Sequence, residues 1–213
     1  EGDLTEAVTR AFAGKTKPAV RLYGTSYGED NAENLPETIF HPLYNAQRLP
    51  KDFELFHESD TFPHTRFFMS AAKIKSIMTA AFAYGLHDSR FHPVQNTDNL
   101  LEETGYTEMY QKEINRFNAL KEAVMDCKVD GCEIIYDPFE HIADAYGKPG
   151  NKRYAWANVT GRLGIPHTSV NGKVKMVSGN TVDLMTDDQI IKLLSGGVFL
   201  DGKAAFSLCN RGF

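Results

Sequence analysis

Residues 53–85 read FELFHESDTFPHTRFFMSAAKIKSIMTAAFAYG. The opening FELFH, from Phe53 to His57, has the aromatic and apolar content of a strand and stands between Pro50 and Pro63. A polar, irregular stretch follows. From Ser70 to Tyr84 the apolar residues Ile74, Ile77, Met78, Ala81 and Phe82 recur at helical spacing, and Gly85 is a suitable stop. A strand, a loop and a helix in that order make the repeating unit of parallel α/β folds. Working outward, Ala19–Tyr23 (AVRLY) reads as an earlier strand between Pro18 and Gly24, and Asp88–Val94 (DSRFHPV) as a later one. Between the first two strands, residues 24–52 contain three prolines and read as a long loop. Gly105–Val129 contains a long helix, with Met109, Ile114, Phe117, Leu120 and Val124 along one face. Leu4–Phe12 reads as a short amphipathic helix closed by Gly14.

The character of the chain changes near Gly131. Residues 1–130 hold 20 acids against 14 Lys plus Arg, whereas residues 131–213 hold 8 against 9. Strands are expected at Cys132–Tyr136, Val174–Val177 and Gly197–Leu200, and helices at Tyr154–Leu163 and Lys203–Asn210. Thr186-Asp-Asp-Gln189 is a capping box that opens a further helix through Leu194. The expectation is therefore two units, 1–130 and 131–213, each with its own parallel sheet. The first would hold strands near 19–23, 53–57 and 88–93, and the second the three later strands. Three strand–helix units are too few to close an eight-stranded barrel. Both ends read as cut, because Arg211-Gly212-Phe213 stops a helix where a strand should begin.

With 213 residues, 42% of them hydrophobic and 24% charged, the chain can bury a real core, which excludes disorder as its main state. No apolar run approaches the roughly 18 residues of a membrane span, so no membrane partner is expected. The net charge is −5 and no basic stripe occurs, so nucleic acid is not an expected partner. Glu1-Gly2-Asp3-Leu4 has no signal-segment character. The compartment is not readable from the residues, with cytoplasmic preferred to secreted. Cys127, Cys132 and Cys209 are too few and too irregular for a disulfide framework or a zinc finger; Cys127 and Cys132 could pair, but reduced structural thiols are the preferred reading.

The densest polar constellation is His57-Glu58-Ser59-Asp60-Thr61-Phe62-Pro63-His64, with Arg66 behind it. It lies where a parallel strand ends, and catalytic side chains sit at such ends. A strand that terminates in a carboxylate suits a glycosidase, which needs one fixed beside an anomeric carbon. The bland alternative is a surface salt-bridge cluster of Glu58, Asp60, His64 and Arg66. A metal held by His57, Glu58, Asp60 and His64 is disfavoured, because neighbours on a strand point to opposite faces. Five of seven histidines (His41, His57, His64, His87 and His92) fall between 41 and 92, which suits a cleft that donates to sugar hydroxyls. Arg21 and Tyr23 on the first strand, and Arg90 and His92 on the third, alternate with apolar residues. They are either substrate contacts or layer-filling salt bridges inside a barrel. No G-x-S-x-G elbow occurs, and Gly161-x-x-Gly164 closes a helix rather than cradling phosphate. Trp156 reads as core.

Residues 53–85 resemble the region around the seventh barrel strand of family-42-like glycoside hydrolases of the β-galactosidase type. There a strand ends in Glu, an irregular loop follows, and a helix closes on an A-x-A-x-G-like end, here Ala81-Phe-Ala-Tyr-Gly85. Downstream, CEIIYDP (132–138), NVTGRLGIPHT (158–168) and LMTDDQIIKLLSGGVFLDGKAAFSLCNRGF (184–213) are similar to the second domain of such proteins, a glutamine-amidotransferase-like or trimerisation-like module. The resemblance implies an α/β chain: the C-terminal part of a (β/α)8 barrel in 1–130, then a partial flavodoxin-like parallel domain in 131–213. It implies Glu58 as nucleophile of a retaining hydrolase of β-linked sugars, acting on the carbohydrate that Arg21, Tyr23, His57, Asp60, His64, Arg66 and His92 are expected to contact from their places at strand ends and in the loop. No cofactor and no metal are implied. The family's acid/base carboxylate usually follows an Asn, and no Asn-Glu pair occurs in this sequence. The chain is therefore expected to need the rest of a longer polypeptide or a homo-oligomer, to be inactive alone, and to perform no amidotransfer, since no reactive Cys stands at an elbow. The alternatives are a non-catalytic carbohydrate-binding or oligomerisation module and a free-standing α/β binding protein.

Overall fold

A computed structural model describes residues 4–12, 16–23, 34–59, 69–86, 88–91, 99, 104–140, 155–179 and 181–213. The chain divides into two units. One runs from Gly14 to Val129; the other runs from Asp130 to Phe213 and includes the N-terminal helix α1 (Leu4–Phe12). Both are α/β with parallel sheets.

In the first unit β1 (Ala19–Leu22), β2 (Glu54–Glu58) and β3 (Asp88–Arg90) form a three-stranded sheet in sequence order, all parallel. Leu22 pairs with His57 across β1 and β2, and Glu58 pairs with Arg90 across β2 and β3. The ladder continues past β2, where Ser59 N–H donates to the Arg90 carbonyl at 2.8 Å.

The stretch expected to be a loop contains helix α2, Leu35–Ala46. Its prolines conceal it from a reading that treats proline as punctuation. Pro36 sits in the first turn, where the missing N–H costs nothing. Pro42 lies inside the helix and cannot bond the carbonyl of Thr38, four residues back. The ring nitrogen Nε2 of His57 donates to that carbonyl instead, at 3.2 Å. Ile39, Phe40, Leu43 and Tyr44 are buried at helical spacing and offset the weak backbone.

Helix α3 (Ala71–Ala83) is capped by Ser70, whose hydroxyl accepts from Lys73 N–H, and it ends at Gly85 with φ +79°. Helix α4 (Gly105–Val124) packs on it through Ile74, Ile77, Met78, Phe82, Met109 and Phe117. The rings of Phe82 and Phe117 meet edge to face, with centroids 5.4 Å apart. The buried stripe of α4 is Met109, Glu113 and Phe117, so Glu113 replaces the expected Ile114. Glu113 is tolerated there because Lys75 Nζ lies 2.6 Å from its carboxylate, which holds the carboxyl below its usual range.

In the second unit β4 (Cys132–Ile135), β5 (His167–Thr168), β6 (Val174–Val177) and β7 (Gly197–Leu200) form a parallel sheet in the order β5-β4-β6-β7. Helix α5 (Ala155–Leu163) precedes β5. The short α6 (Thr181–Leu184) and α7 (Asp187–Leu194) precede β7, and α8 (Gly202–Asn210) follows it. Two-residue β5 and four-residue α6 are too short to leave a periodicity, and the sequence reading lacks both. Thr186 and Gln189 form the expected capping box on α7. Asp201 caps α8 by accepting from Ala204 N–H at 2.7 Å, and also accepts from Gly179 N–H at 3.0 Å. Val177, Val182, Ile190, Leu193, Ala204 and Leu208 form the core. Trp156 is only half-buried; its indole N–H donates to the Val177 carbonyl at 2.9 Å. All three cysteines are free thiols, with Cys127 and Cys209 exposed.

Candidate functional site

Strand alternation sorts the residues of β2. Leu55 and His57 point to the face covered by α2; Glu54, Phe56 and Glu58 point to the other. Burial follows the same division: in β1, Val20 and Leu22 are buried and Ala19 and Arg21 exposed. Parallel register then aligns side chains across the strands. Arg21 stands opposite Phe56, and Arg90 opposite Glu58. One face of the sheet thus carries an arginine from each outer strand on either side of a carboxylate from the central strand.

Glu58 is the last residue of β2, at its carboxyl end. Its side chain is 16% exposed, and Oε1 lies 2.9 Å from an Arg21 guanidinium nitrogen. Arg21 is 59% exposed, so water screens the pair and its contribution to stability is small, about 0–1 kcal/mol. The pair does orient the carboxylate, which is itself mostly buried, by holding Oε1 toward the Arg21 side of the strand. Arg90 places its guanidinium 5.0 Å from the centroid of the Phe56 ring. Tyr23, one residue past β1, is 51% exposed. Its carbonyl accepts from His41 Nδ1–H at 2.8 Å, and the two rings meet edge to face.

His57 does not join this face. It is fully buried on the α2 side. Because Nε2 donates to the Thr38 carbonyl, Nδ1 is the acceptor, and the Ser59 hydroxyl donates to it at 2.7 Å. The expected sugar contact is therefore corrected: His57 compensates for the N–H that Pro42 lacks. Asp60, His64, Arg66 and His92, also expected as sugar contacts, lie outside the described residues. Glu58, Arg21 and Tyr23 remain as the expected site residues that the structure gathers at one end of the sheet. In the sequence Arg90 shows only as one member of an alternation and Phe56 only as part of a strand; their contact is made across β2 and β3, where the register sets Arg90 opposite Glu58.

Burial pushes the His57 imidazole down to about 4, opposed only partly by the Thr38 carbonyl. The folded unit thus holds the neutral ring, while the unfolded chain takes up a proton near 6.5. This contribution to stability is complete above pH 6.5 and is lost as pH falls from 6.5 toward 4. About 3 kcal/mol is expected to disappear over that window. Urea unfolding at pH 7 and pH 4, compared with His57→Gln, checks it; equal pH dependence in the two proteins would show that His57 is not held neutral. Burial lowers His167 in the second unit as well, with the same sign.

Among the described residues no group of three His, Cys, Asp or Glu side chains is placed to hold a metal ion. Among them, too, no helix is long and apolar enough to cross a membrane. Comparison of the chain with protein-family models, with curated proteins and with solved structures finds no match.

Proposed function

We propose that the chain carries the nucleophile of a retaining glycosidase acting on β-linked sugars, on late strands of a (β/α)8 barrel joined to a flavodoxin-like, amidotransferase-like unit. The observation that carries the reading is the position of Glu58: at the carboxyl end of a central parallel strand, on the face away from α2, oriented by Arg21. Support for the architecture comes from strand order. Sequential neighbours β1-β2-β3 are the arrangement of consecutive barrel strands. In the second unit β5-β4-β6-β7 corresponds to the 2-1-3-4 portion of a flavodoxin-like sheet.

In this mechanism a Glu58 oxygen attacks the anomeric carbon as the bond to the leaving oxygen breaks. An acid/base carboxylate about 5–5.5 Å away protonates that oxygen and later activates water. No Asn-Glu pair is present for this second role, and we assign it to a residue outside the chain. The chain by itself is then inactive on alkyl β-galactosides, whose leaving group needs a proton. A dinitrophenyl leaving group needs none and isolates the nucleophile. Incubation with dinitrophenyl 2-deoxy-2-fluoro-β-galactoside is expected to add one fluoroglycosyl group to the peptide that contains Glu58, read by mass spectrometry. Labelling elsewhere, or none, would remove Glu58 from this role. The half-exposed Tyr23 ring favours a second reading, a carbohydrate-binding module without catalysis. That reading predicts saturable sugar binding with no label.

A further inference from the structure

Arg90 is not accounted for by the reaction just described. It stands opposite Glu58 in the β2–β3 register, on the strand flank away from Arg21. Arg21 already neutralises Glu58 at 2.9 Å, so the second arginine leaves this row with an excess positive charge. Among the described residues no carboxylate pairs with Arg90: Asp88 of the same strand bridges to Lys121, and Glu54 to Lys17. Arg90 is exposed, yet its guanidinium is not loose, because it lies over the face of Phe56. This cation–π contact steadies the guanidinium, whose N–H groups remain available to a ligand at this exposed position. A planar fork of donors beside the reacting carboxylate matches a sugar carboxylate, which it can bind through two parallel hydrogen bonds. A neutral hydroxymethyl group offers no such match.

We infer that the substrate is a β-linked uronide, whose sugar carboxylate is bound by Arg90. This rests on the glycosidase reading of Glu58 and narrows it to acidic sugars. The class follows from charge: a neutral sugar would leave Arg90 without a counter-ion beside Glu58, whereas a uronate completes an alternating row of Glu58, Arg90 and substrate carboxylate.

The test is binding to the full chain, measured by titration calorimetry with methyl β-galacturonide and methyl β-galactoside, so that it does not depend on the acid/base residue. The uronide is expected to bind at least about 10-fold more tightly, the scale of one charge-assisted hydrogen-bonded pair. Arg90→Gln is expected to erase that preference, and thermal melts of the variant control for folding. Raising the salt concentration should narrow the preference in the wild type. Equal affinity for the two sugars, or a preference that survives in Arg90→Gln, overturns the uronide assignment. In that case fluoroglycosyl labelling of Glu58 still reports on the glycosidase reading separately. If neither sugar binds and no label forms, both readings fall.

Discussion

Glu58→Gln is expected to abolish the release of dinitrophenolate from a dinitrophenyl β-glycoside, by roughly 10⁴-fold or more. The swap keeps the size and shape of the side chain and removes the charge. A neutral amide oxygen neither attacks the anomeric carbon usefully nor stabilises the positive charge that develops there. The fold should hardly notice. The ion pair lost is one between Glu58 and a mostly exposed Arg21, which contributes at most about 1 kcal/mol. Thermal melts of the variant should therefore stay within a few degrees of the wild type. Rescue provides the sharper readout. In Glu58→Ala, added azide can occupy the vacated space and attack the same face of the sugar, giving the α-glycosyl azide with inversion. A folded variant that keeps full activity, or a folded Glu58→Ala variant that azide does not rescue, would remove the nucleophile assignment.

Gly131→Ala should prevent the second unit from folding, with a destabilisation above about 4 kcal/mol. Gly131 has φ +139°, a conformation that side-chain-bearing residues rarely adopt. A Cβ built there would lie 2.1 Å from the Pro166 carbonyl oxygen, the atom that accepts from Cys132 N–H at 3.0 Å. Relief of the clash would break the first bond between β4 and β5. The same tight crossing recurs at Gly172, where a Cβ would lie 2.5 Å from Glu133 N. The chain between β5 and β6 runs directly over β4 there, and Gly172 N–H donates to a Glu133 carboxylate oxygen at 3.0 Å. The contrast within the same unit is Gly202, which opens α8 with nothing within 4 Å of its Cβ position. Gly202→Ala is expected to be neutral or stabilising by up to about 1 kcal/mol. Near-ultraviolet circular dichroism reports on this unit through Trp156. A native spectrum and a normal melt for Gly131→Ala would refute the steric account.

Reading the residues alone captures those elements whose local pattern and tertiary environment agree. The runs AVRL, ELFHE, CEII, VKMV and GVFL are strands because their side chains suit a pleated, packed surface. Helix α3 shows its stripe, its Ser70 cap and its glycine stop in sequence, as α7 shows its capping box. Alternation of strand and helix, with the change of charge near Gly131, is enough to expect parallel α/β structure. Tertiary structure decides the rest, because it depends on partners distant along the chain. Helix α2 exists despite Pro42 because His57, brought in by β2, donates to the Thr38 carbonyl that Pro42 cannot serve. That same contact decides what His57 is for, which its place in a polar motif misstates. The two faces of β2 differ only because helices cover one of them, so adjacent His57 and Glu58 have opposite fates. Arg90 comes beside Glu58 through a register that no local pattern encodes, since parallel strands are aligned by the packing of the helices between them.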